Sequence, residues 1–238
     1  MAATIAIKKY FHFFSLLLYI FTVWYHITHL KIPRPKSHNF AGPWKYLTVW
    51  NLILQTVFFG LCVLNNIFGT TYGPKDTRPR SSLQKAVDRF YAAIAWPLGT
   101  FVVVTFWGIF AVNRDLVYPK RLDEFIPVWM NHLMHTTVLP ILLVENYLVH
   151  HEFPQRKNGA IGTMGLASIY VAWIHLIAYI SGHWVYPILA ILGWMQRTCF
   201  IAALLALFAG FYILGEKVHE YTWKPAPRKP VKRSMKAH

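Results

Sequence analysis

Charged residues are scarce in this 238-residue sequence, and acidic residues are the scarcest of them. Charged residues make up 14% of the chain, with 9 Asp and Glu against 24 Lys and Arg. Soluble globular proteins carry about 25% charged residues, so this composition argues against a freely soluble domain. The only two cysteines, Cys62 and Cys199, lie in apolar stretches. They exclude a disulfide-rich scaffold and are interpreted as small buried hydrophobic residues.

Hydrophobic residues are abundant, at 55% of the chain, and they are concentrated in long stretches. A membrane-spanning helix needs about 20 apolar residues. The sequence therefore predicts an all-α membrane protein, with a bundle of about six transmembrane helices in residues 1–222. The predicted spans lie near residues 10–28, 46–68, 90–112, 126–148, 161–181 and 196–215. The first lacks a small-residue cleavage site and is interpreted as a retained span, not a signal peptide.

Two features of the last third of the chain predict local structure. Residues 182–194 are too short to span a membrane and contain Pro187, so they are predicted to form an interfacial or re-entrant piece, with a seventh span as the alternative. Ala202, Ala206 and Gly210 recur at four-residue spacing in the last span. Small residues at this spacing favour close packing against a neighbouring helix.

The net charge of +15 predicts a topology. Sixteen of the 24 basic residues flank the spans on the side of the two termini, and eight lie in the other connectors. By the positive-inside rule both termini are predicted to be cytosolic in a multi-pass protein of the plasma membrane or endoplasmic reticulum. Residues 223–238 are predicted to be a basic disordered tail that can contact anionic membrane lipids. The basic residues form no continuous stripe, so no nucleic-acid partner is expected.

Polar side chains inside predicted spans suggest a functional site, because they cost free energy at membrane depth. They form one group in the second span and one in the fourth: Thr48, Asn51 and Gln55, and Asn131, His132 and His135. Each group is equally well explained by hydrogen bonds that hold helices together. Pro43 and Pro127 suit the first turns of these spans, which places Thr48 roughly 8 Å and His135 roughly 13 Å below the same face.

A threonine hydroxyl and an imidazole at similar depth can perform nucleophilic catalysis. A threonine hydroxyl needs a base within hydrogen-bond reach, and neutral imidazole is the usual one. Asn131 or Asn51 could fix the imidazole tautomer. From the residues alone Thr48 is one of several available hydroxyls, the others being Thr136, Thr137 and Ser168. No set of Cys, His and carboxylate residues shows metal-ligand spacing, so no metal site is predicted.

Four runs of sequence resemble a known family: PWKYLTVWNLILQTVFFGLCVL, VYPKRLDEFIPVWMNHLMHTTVLPILLVE, HWVYP and YILGE. They look like the androgen-induced gene 1 / androgen-dependent TFPI-regulating protein family of multi-pass membrane proteins, over about residues 30–220. The resemblance implies a hydrolase of fatty acid esters of hydroxy fatty acids with an intramembrane threonine nucleophile and a histidine base. The matching residues are Thr48 of WKYLT and His135, the second histidine of the NHLMH motif, not His132.

The implied substrate has a free carboxylate that needs a cation near the rim of the bundle. Lys45 is one option, and Lys120 or Arg121 are others, although membrane topology or headgroup contact explains each of these residues as well. Candidate oxyanion donors are Asn51, Asn131 and Trp129 N–H, without a ranking.

Two other classes of function fit the same residues. Facing histidines can hold haem in a transmembrane electron carrier, and this sequence offers His12, His26, His29, His132, His135, His175 and His183. A non-catalytic membrane adaptor would use the aromatic-rich bundle to bind a partner or a sterol. The hydrolase interpretation requires no cofactor and only a lipid ester and membrane lipids as partners, and the sequence predicts no oligomeric state.

Overall fold

The computed structural model describes residues 2–33, 40–73 and 76–224, with side chains from residue 5 onward. These residues form α-helices joined by short 3-10 turns and contain no β-strand. The helices are α1 (Ala2–Thr28), α2 (Leu47–Phe68), α3 (Ser82–Phe90), α4 (Trp96–Asn113), α5 (Val128–His135), α6 (Val138–Leu148), α7 (Arg156–Ser181), α8 (Pro187–Ile191) and α9 (Trp194–Thr222). The predicted all-α class is confirmed.

Among the described residues, five helical stretches are long and apolar enough to cross a membrane, not the predicted six. They are Ile5–Thr28, Leu47–Phe68, Ser82–Leu116, Arg156–Ser181 and Trp194–Thr222. Large apolar side chains such as Phe14 and Trp24 are exposed on α1. Such an outward apolar surface suits contact with lipid.

The predicted span 126–148 is interrupted, and this accounts for the difference. It forms two shorter helices, α5 and α6, separated at Thr136 and Thr137. Pro140, in the first turn of α6, has no N–H to bond the carbonyl of Thr136, and its ring crowds that carbonyl. The pair still runs the length of the bundle. Its first half lies against the start of α2, and its second half reaches α1 through a His12–Glu145 contact of 2.9 Å.

The predicted span 90–112 begins earlier, at Ser82, and contains a π-helical turn at Tyr91–Ala95. A π-turn frees backbone carbonyls for other donors. Here Gln55 Nε2 donates to the carbonyl of Ala95 at 2.9 Å, and Thr163 Oγ1 donates to the carbonyl of Ala93 at 2.8 Å. Gln55 therefore joins α2 to this helix.

The small-residue ridge does not make the helix contact that its spacing predicted. Ala202, Ala206 and Gly210 are all exposed, and a Cβ on Gly210 would meet nothing within 4 Å. The close approach of α4 and α9 occurs at Gly215 instead, where a Cβ would lie 2.3 Å from the Trp96 ring. Trp96 Nε1 also donates to the carbonyl of Phe211 at 3.0 Å, so α9 packs through its second half.

The segment 182–194 holds only the short helix α8 and does not span the bundle, as its length predicted. It lies beside the start of α2, where the backbone N–H of Leu47 donates to the Tyr186 hydroxyl at 3.1 Å. At the opposite end of the bundle Lys8 and Trp223 line one cavity, so both ends of the described chain lie on the same side. Residues 225–238 of the predicted tail lie outside the described residues. So do Arg34 and Lys36, two basic residues of the first connector that were counted for the topology.

Candidate active site

Thr48 lies in the first turn of α2, beside the end of α5. A 3-10 turn, Gly42–Lys45, contains Pro43 and precedes α2, so Thr48 is the second residue of its helix. Its Oγ1 lies 3.1 Å from Nε2 of His135, the last residue of α5. The structure therefore joins the two residues that the sequence analysis paired.

The orientation of His135 is fixed by its own helix. Its Nδ1 lies 2.8 Å from Oδ1 of Asn131 and 3.1 Å from the Asn131 backbone carbonyl. Since a carbonyl oxygen can only accept, Nδ1 carries the proton and Nε2 presents its lone pair to the Thr48 hydroxyl. The Phe106 ring stacks on the imidazole with centroids 3.7 Å apart. Asn131 thus holds the tautomer that a general base needs.

The other candidate hydroxyls have different partners. Trp107 Nε1 donates to Oγ1 of Thr136 at 3.2 Å, and Nδ1 of His132 lies 3.0 Å from the same oxygen. Thr137 Oγ1 donates to the carbonyl of Leu133 at 3.0 Å, and Ser168 is exposed on the outer surface. Trp107 Nε1 also donates to the backbone carbonyl of His135 at 2.9 Å. His132 and Thr136 therefore lie beside His135, but neither side chain bonds its imidazole or the Thr48 hydroxyl.

Thr48 faces an apolar cavity enclosed by α2, α4, α7, α8 and α9. Its wall combines aromatic and aliphatic side chains, among them Phe101, Phe106, Ile109, Leu166, Leu189 and Phe208. The polar side chains of the wall are those of Thr48, Thr105, Tyr170 and Tyr186. A hydroxyl paired with an imidazole thus lies at the wall of a space suited to alkyl chains.

Two tyrosines beside Thr48 were not identified as site residues from the sequence. The Tyr170 hydroxyl donates to the carbonyl of Lys45 at 2.9 Å, and it lies 2.9 Å from the Tyr186 hydroxyl. Tyr186 O accepts from Leu47 N–H, and its own proton bonds the Tyr170 oxygen, from which it can turn to a bound molecule. Burial raises the pKa of Tyr186, which keeps this phenol a donor. The sequence predicted only that the segment containing Tyr186 is interfacial or re-entrant.

Of the predicted oxyanion donors, none lines the cavity as Tyr186 does. Oδ1 of Asn51 accepts from Gln55 Nε2 at 3.1 Å, and Nδ2 of Asn51 has no acceptor among the described residues. Asn51 does not line the cavity. Trp129 packs on α1, with its ring centroid 4.7 Å from that of Tyr25. Asn131 is engaged with His135.

The predicted carboxylate-binding cations differ in position. Lys45 is buried directly before α2, with Nζ 5.3 Å from the centroid of Tyr46. Lys120 and Arg121 are exposed on a 3-10 turn, and neither lines the cavity. Arg197, which the sequence analysis did not select, is anchored to the segment that contains Leu189, a residue of the cavity wall. Its guanidinium donates to the carbonyls of Leu189 and Leu192 at 2.7 and 2.6 Å and stacks on Trp184 at 4.1 Å.

The histidines proposed as haem ligands have separate surroundings. His12 bonds Glu145, His132 lies on Trp107 with centroids 5.6 Å apart, and His135 bonds Thr48. His175 donates from Nδ1 to the carbonyl of Val171 in its own helix at 2.7 Å. No observation on these residues favours the haem interpretation over the hydrogen bonds they already make.

Comparison with known proteins identifies the family. A family model described as FAR-17a/AIG1-like protein matches residues 7–220. The chain belongs to the FAR-17a/AIG1-like family. This family assignment confirms the resemblance inferred from the sequence motifs.

Relatives cover nearly the same length as this FAR-17a/AIG1-like chain. It is 39% identical to the androgen-induced gene 1 protein of Homo sapiens over 196 residues, 81% of this chain and 82% of that protein. It is 36% identical to the androgen-dependent TFPI-regulating protein of Homo sapiens over 214 residues, 90% and 92% of the two chains. A membrane protein of Schizosaccharomyces pombe is 28% identical over 134 residues, 54% and 58% of the two chains. No solved structure matches. Together with the five apolar helices, these relatives identify a multi-pass membrane protein.

Proposed function

We propose that this protein is a carboxylic ester hydrolase that cleaves fatty acid esters of hydroxy fatty acids within the membrane, with Thr48 as nucleophile and His135 as general base. The main support is the 3.1 Å contact between Thr48 Oγ1 and His135 Nε2 at the wall of an apolar cavity. The tautomer held by Asn131 supports the direction of proton transfer, because it leaves Nε2 free to accept.

The reaction proceeds in two steps. His135 Nε2 takes the proton of Thr48 as Oγ1 attacks the ester carbonyl carbon. The carbon–oxygen ester bond then breaks, the departing hydroxy fatty acid takes the proton from His135, and the acyl group remains on Thr48. His135 next removes a proton from water, whose hydroxide attacks the acyl-threonine. Thr48 recovers its proton from His135 as the fatty acid leaves.

Charge on the tetrahedral oxygen requires donors near Thr48. The Tyr186 O–H is one, and the Thr48 N–H lies in the first turn of α2, where backbone amides have no intrahelical acceptor. The apolar cavity accommodates the alkyl chains. Lys45 directly precedes the first turn of α2, and Arg197 bonds the carbonyl of Leu189, a residue of the cavity wall. Both are candidate partners for the free carboxylate.

Labelling with a fluorophosphonate, followed by peptide mapping, tests the proposal. The adduct is expected on Thr48, and Thr48→Val is expected to remove both the adduct and the hydrolysis of a fatty acid ester of a hydroxy fatty acid. Thr136→Val is the matched control, since it removes a nearby hydroxyl that bonds Trp107 and not His135. An adduct on Thr136, or full hydrolysis by Thr48→Val, would contradict the assignment of Thr48. Wild-type protein that takes no label and hydrolyses no ester would favour the adaptor interpretation.

A further inference from the structure

A second polar site lies at the opposite end of the bundle from Thr48. Its cavity is bounded by α1, α2, α3 and α6, and its wall contains Lys8, His12, Cys62, Asp88, Glu145 and His150. His12, Cys62 and Glu145 are each buried. They come from three different helices, α1, α2 and α6, and the proposed esterase mechanism uses none of them.

We propose that His12, Cys62 and Glu145 form a zinc-binding site that ties α1 and α6 to α2. The imidazole nitrogen, the thiol sulfur and a carboxylate oxygen all lie within 4.8 Å of one another. His12 Nε2 and Glu145 Oε2 are 2.9 Å apart. Two such atoms on a tetrahedral ion with bonds of about 2.0 Å lie roughly 3.3 Å apart, so side-chain adjustments of about 1 Å complete the site.

The donor types select the metal. A set of thiolate, imidazole and carboxylate suits Zn²⁺, whereas Mg²⁺ and Ca²⁺ prefer oxygen donors alone. The thiolate and the carboxylate together balance the charge of a divalent ion. Three protein ligands leave a fourth position open toward the cavity for water. Lys8 lines the same cavity, so its ammonium can donate to a hydroxide or another anion in that position.

Neighbouring residues form hydrogen bonds to the proposed ligands, as is typical around zinc sites. Glu145 Oε1 accepts from His151 Nε2 at 2.9 Å, and Nδ1 of His151 lies 3.0 Å from Asp88 Oδ1. The His151 imidazole thus lies between the two carboxylates and holds Oε1 of Glu145 in place. Arg80 pairs with the second oxygen of Asp88. The network therefore leaves Oε2 of Glu145 directed at His12.

Asn66 can supply the outer contact that a metal-bound His12 needs. Its Nδ2 lies 2.8 Å from Nδ1 of His12, while its Oδ1 is buried without a hydrogen-bond partner among the described residues. Turning the amide over places Oδ1 against Nδ1 of His12. His12 then carries its proton on Nδ1 and presents the Nε2 lone pair to the metal. Either orientation leaves one buried atom of the amide unpaired, so Asn66 allows the metal-bound tautomer of His12 but does not require it.

Metal analysis of the full-length protein in detergent tests this site. Purified protein is expected to hold about one zinc per chain, and zinc K-edge absorption spectroscopy is expected to show a single sulfur ligand. After exchange with Co²⁺, a sulfur-to-cobalt charge-transfer band is expected in the near ultraviolet. Cys62→Ser should lose that band. Cys199→Ser is the matched control, because this exposed cysteine of α9 lies outside the site, and it should keep the band.

The results expected for the zinc site differ from those expected for the proposed esterase activity. Thr48→Val is expected to lose hydrolysis and keep the cobalt band, whereas His12→Gln and Glu145→Gln should lose stoichiometric metal. Should Cys62→Ser fail to fold, the sulfur ligand in the wild-type zinc spectrum still decides the matter. Wild-type protein that holds no stoichiometric metal and shows no charge-transfer band with Co²⁺ would overturn the proposal, whatever the result for Thr48.

Discussion

The Thr48 hydroxyl oxygen lies 3.1 Å from Nε2 of His135, although the two residues are 87 positions apart in the sequence. The third member of the arrangement is the amide of Asn131, not a carboxylate. An amide oxygen and a backbone carbonyl fix the imidazole tautomer but provide no full charge to stabilise the imidazolium. His135 is therefore oriented by hydrogen bonds to neutral groups and not by a charged carboxylate.

We expect Asn131→Leu to lower kcat about tenfold to a hundredfold with little change in KM, because the imidazole can then rotate or change tautomer. Asn131→Asp retains an acceptor for Nδ1–H and is expected to keep most of the activity. The kcat and KM of both variants are measured by steady-state hydrolysis of a fatty acid ester of a hydroxy fatty acid. Size-exclusion chromatography checks their folding. Equal losses in both variants would show that Asn131 does not act through His135.

Tyr186→Phe is expected to lower kcat by about 10²–10³, the usual effect of removing one oxyanion donor. The phenyl ring keeps its packing on the cavity wall, so KM should change little. Tyr179→Phe is the control, since Tyr179 is 88% exposed on α7. If the two variants are equally active, the Tyr186 hydroxyl has no part in stabilising the transition state.

Helix direction and the prolines near the starts of two segments placed Thr48 and His135 at similar depth, and the family resemblance selected this pair among several hydroxyls. In the structure the two side chains are in contact. The break at Thr136 was missed, because hydropathy averages over the proline that ends the hydrogen-bond ladder. The outward direction of Ala202 and Gly210 was also missed, because four-residue spacing marks a helix face without indicating what covers it.

Other contacts between segments far apart in the chain could not be predicted from the sequence. Tyr186 reaches the first turn of α2 from a connector whose length predicted only an interfacial position. The sequence predicted no metal site because no ligand spacing is visible, yet His12, Cys62 and Glu145 converge from three helices. Such groups depend on the helix packing, which a single sequence does not encode in any local pattern.

Arg197→Gln is expected to raise KM for substrates with a free carboxylate about tenfold to a hundredfold, the effect of losing a charged hydrogen bond. The methyl ester of the same substrate should be hydrolysed equally well by wild type and variant. Arg121→Gln is the control, because Arg121 is exposed on its 3-10 turn away from the cavity. A matching loss with the methyl ester would indicate that Arg197 supports α8 through Leu189 and Leu192 and does not recognise the carboxylate.

Pro140→Ala tests whether the break between α5 and α6 positions His135. Alanine restores an N–H that can bond the carbonyl of Thr136, and a proline inside a helix costs about 3 kcal/mol. We therefore expect a more continuous helix, unchanged or higher thermal stability, and a loss of hydrolysis of at least about tenfold as His135 turns away from Thr48. Pro127→Ala is the control, because Pro127 caps α5 and interrupts no helical hydrogen bond. Full activity in a stable Pro140→Ala protein would mean that Trp107 and Asn131 hold His135 without help from the break.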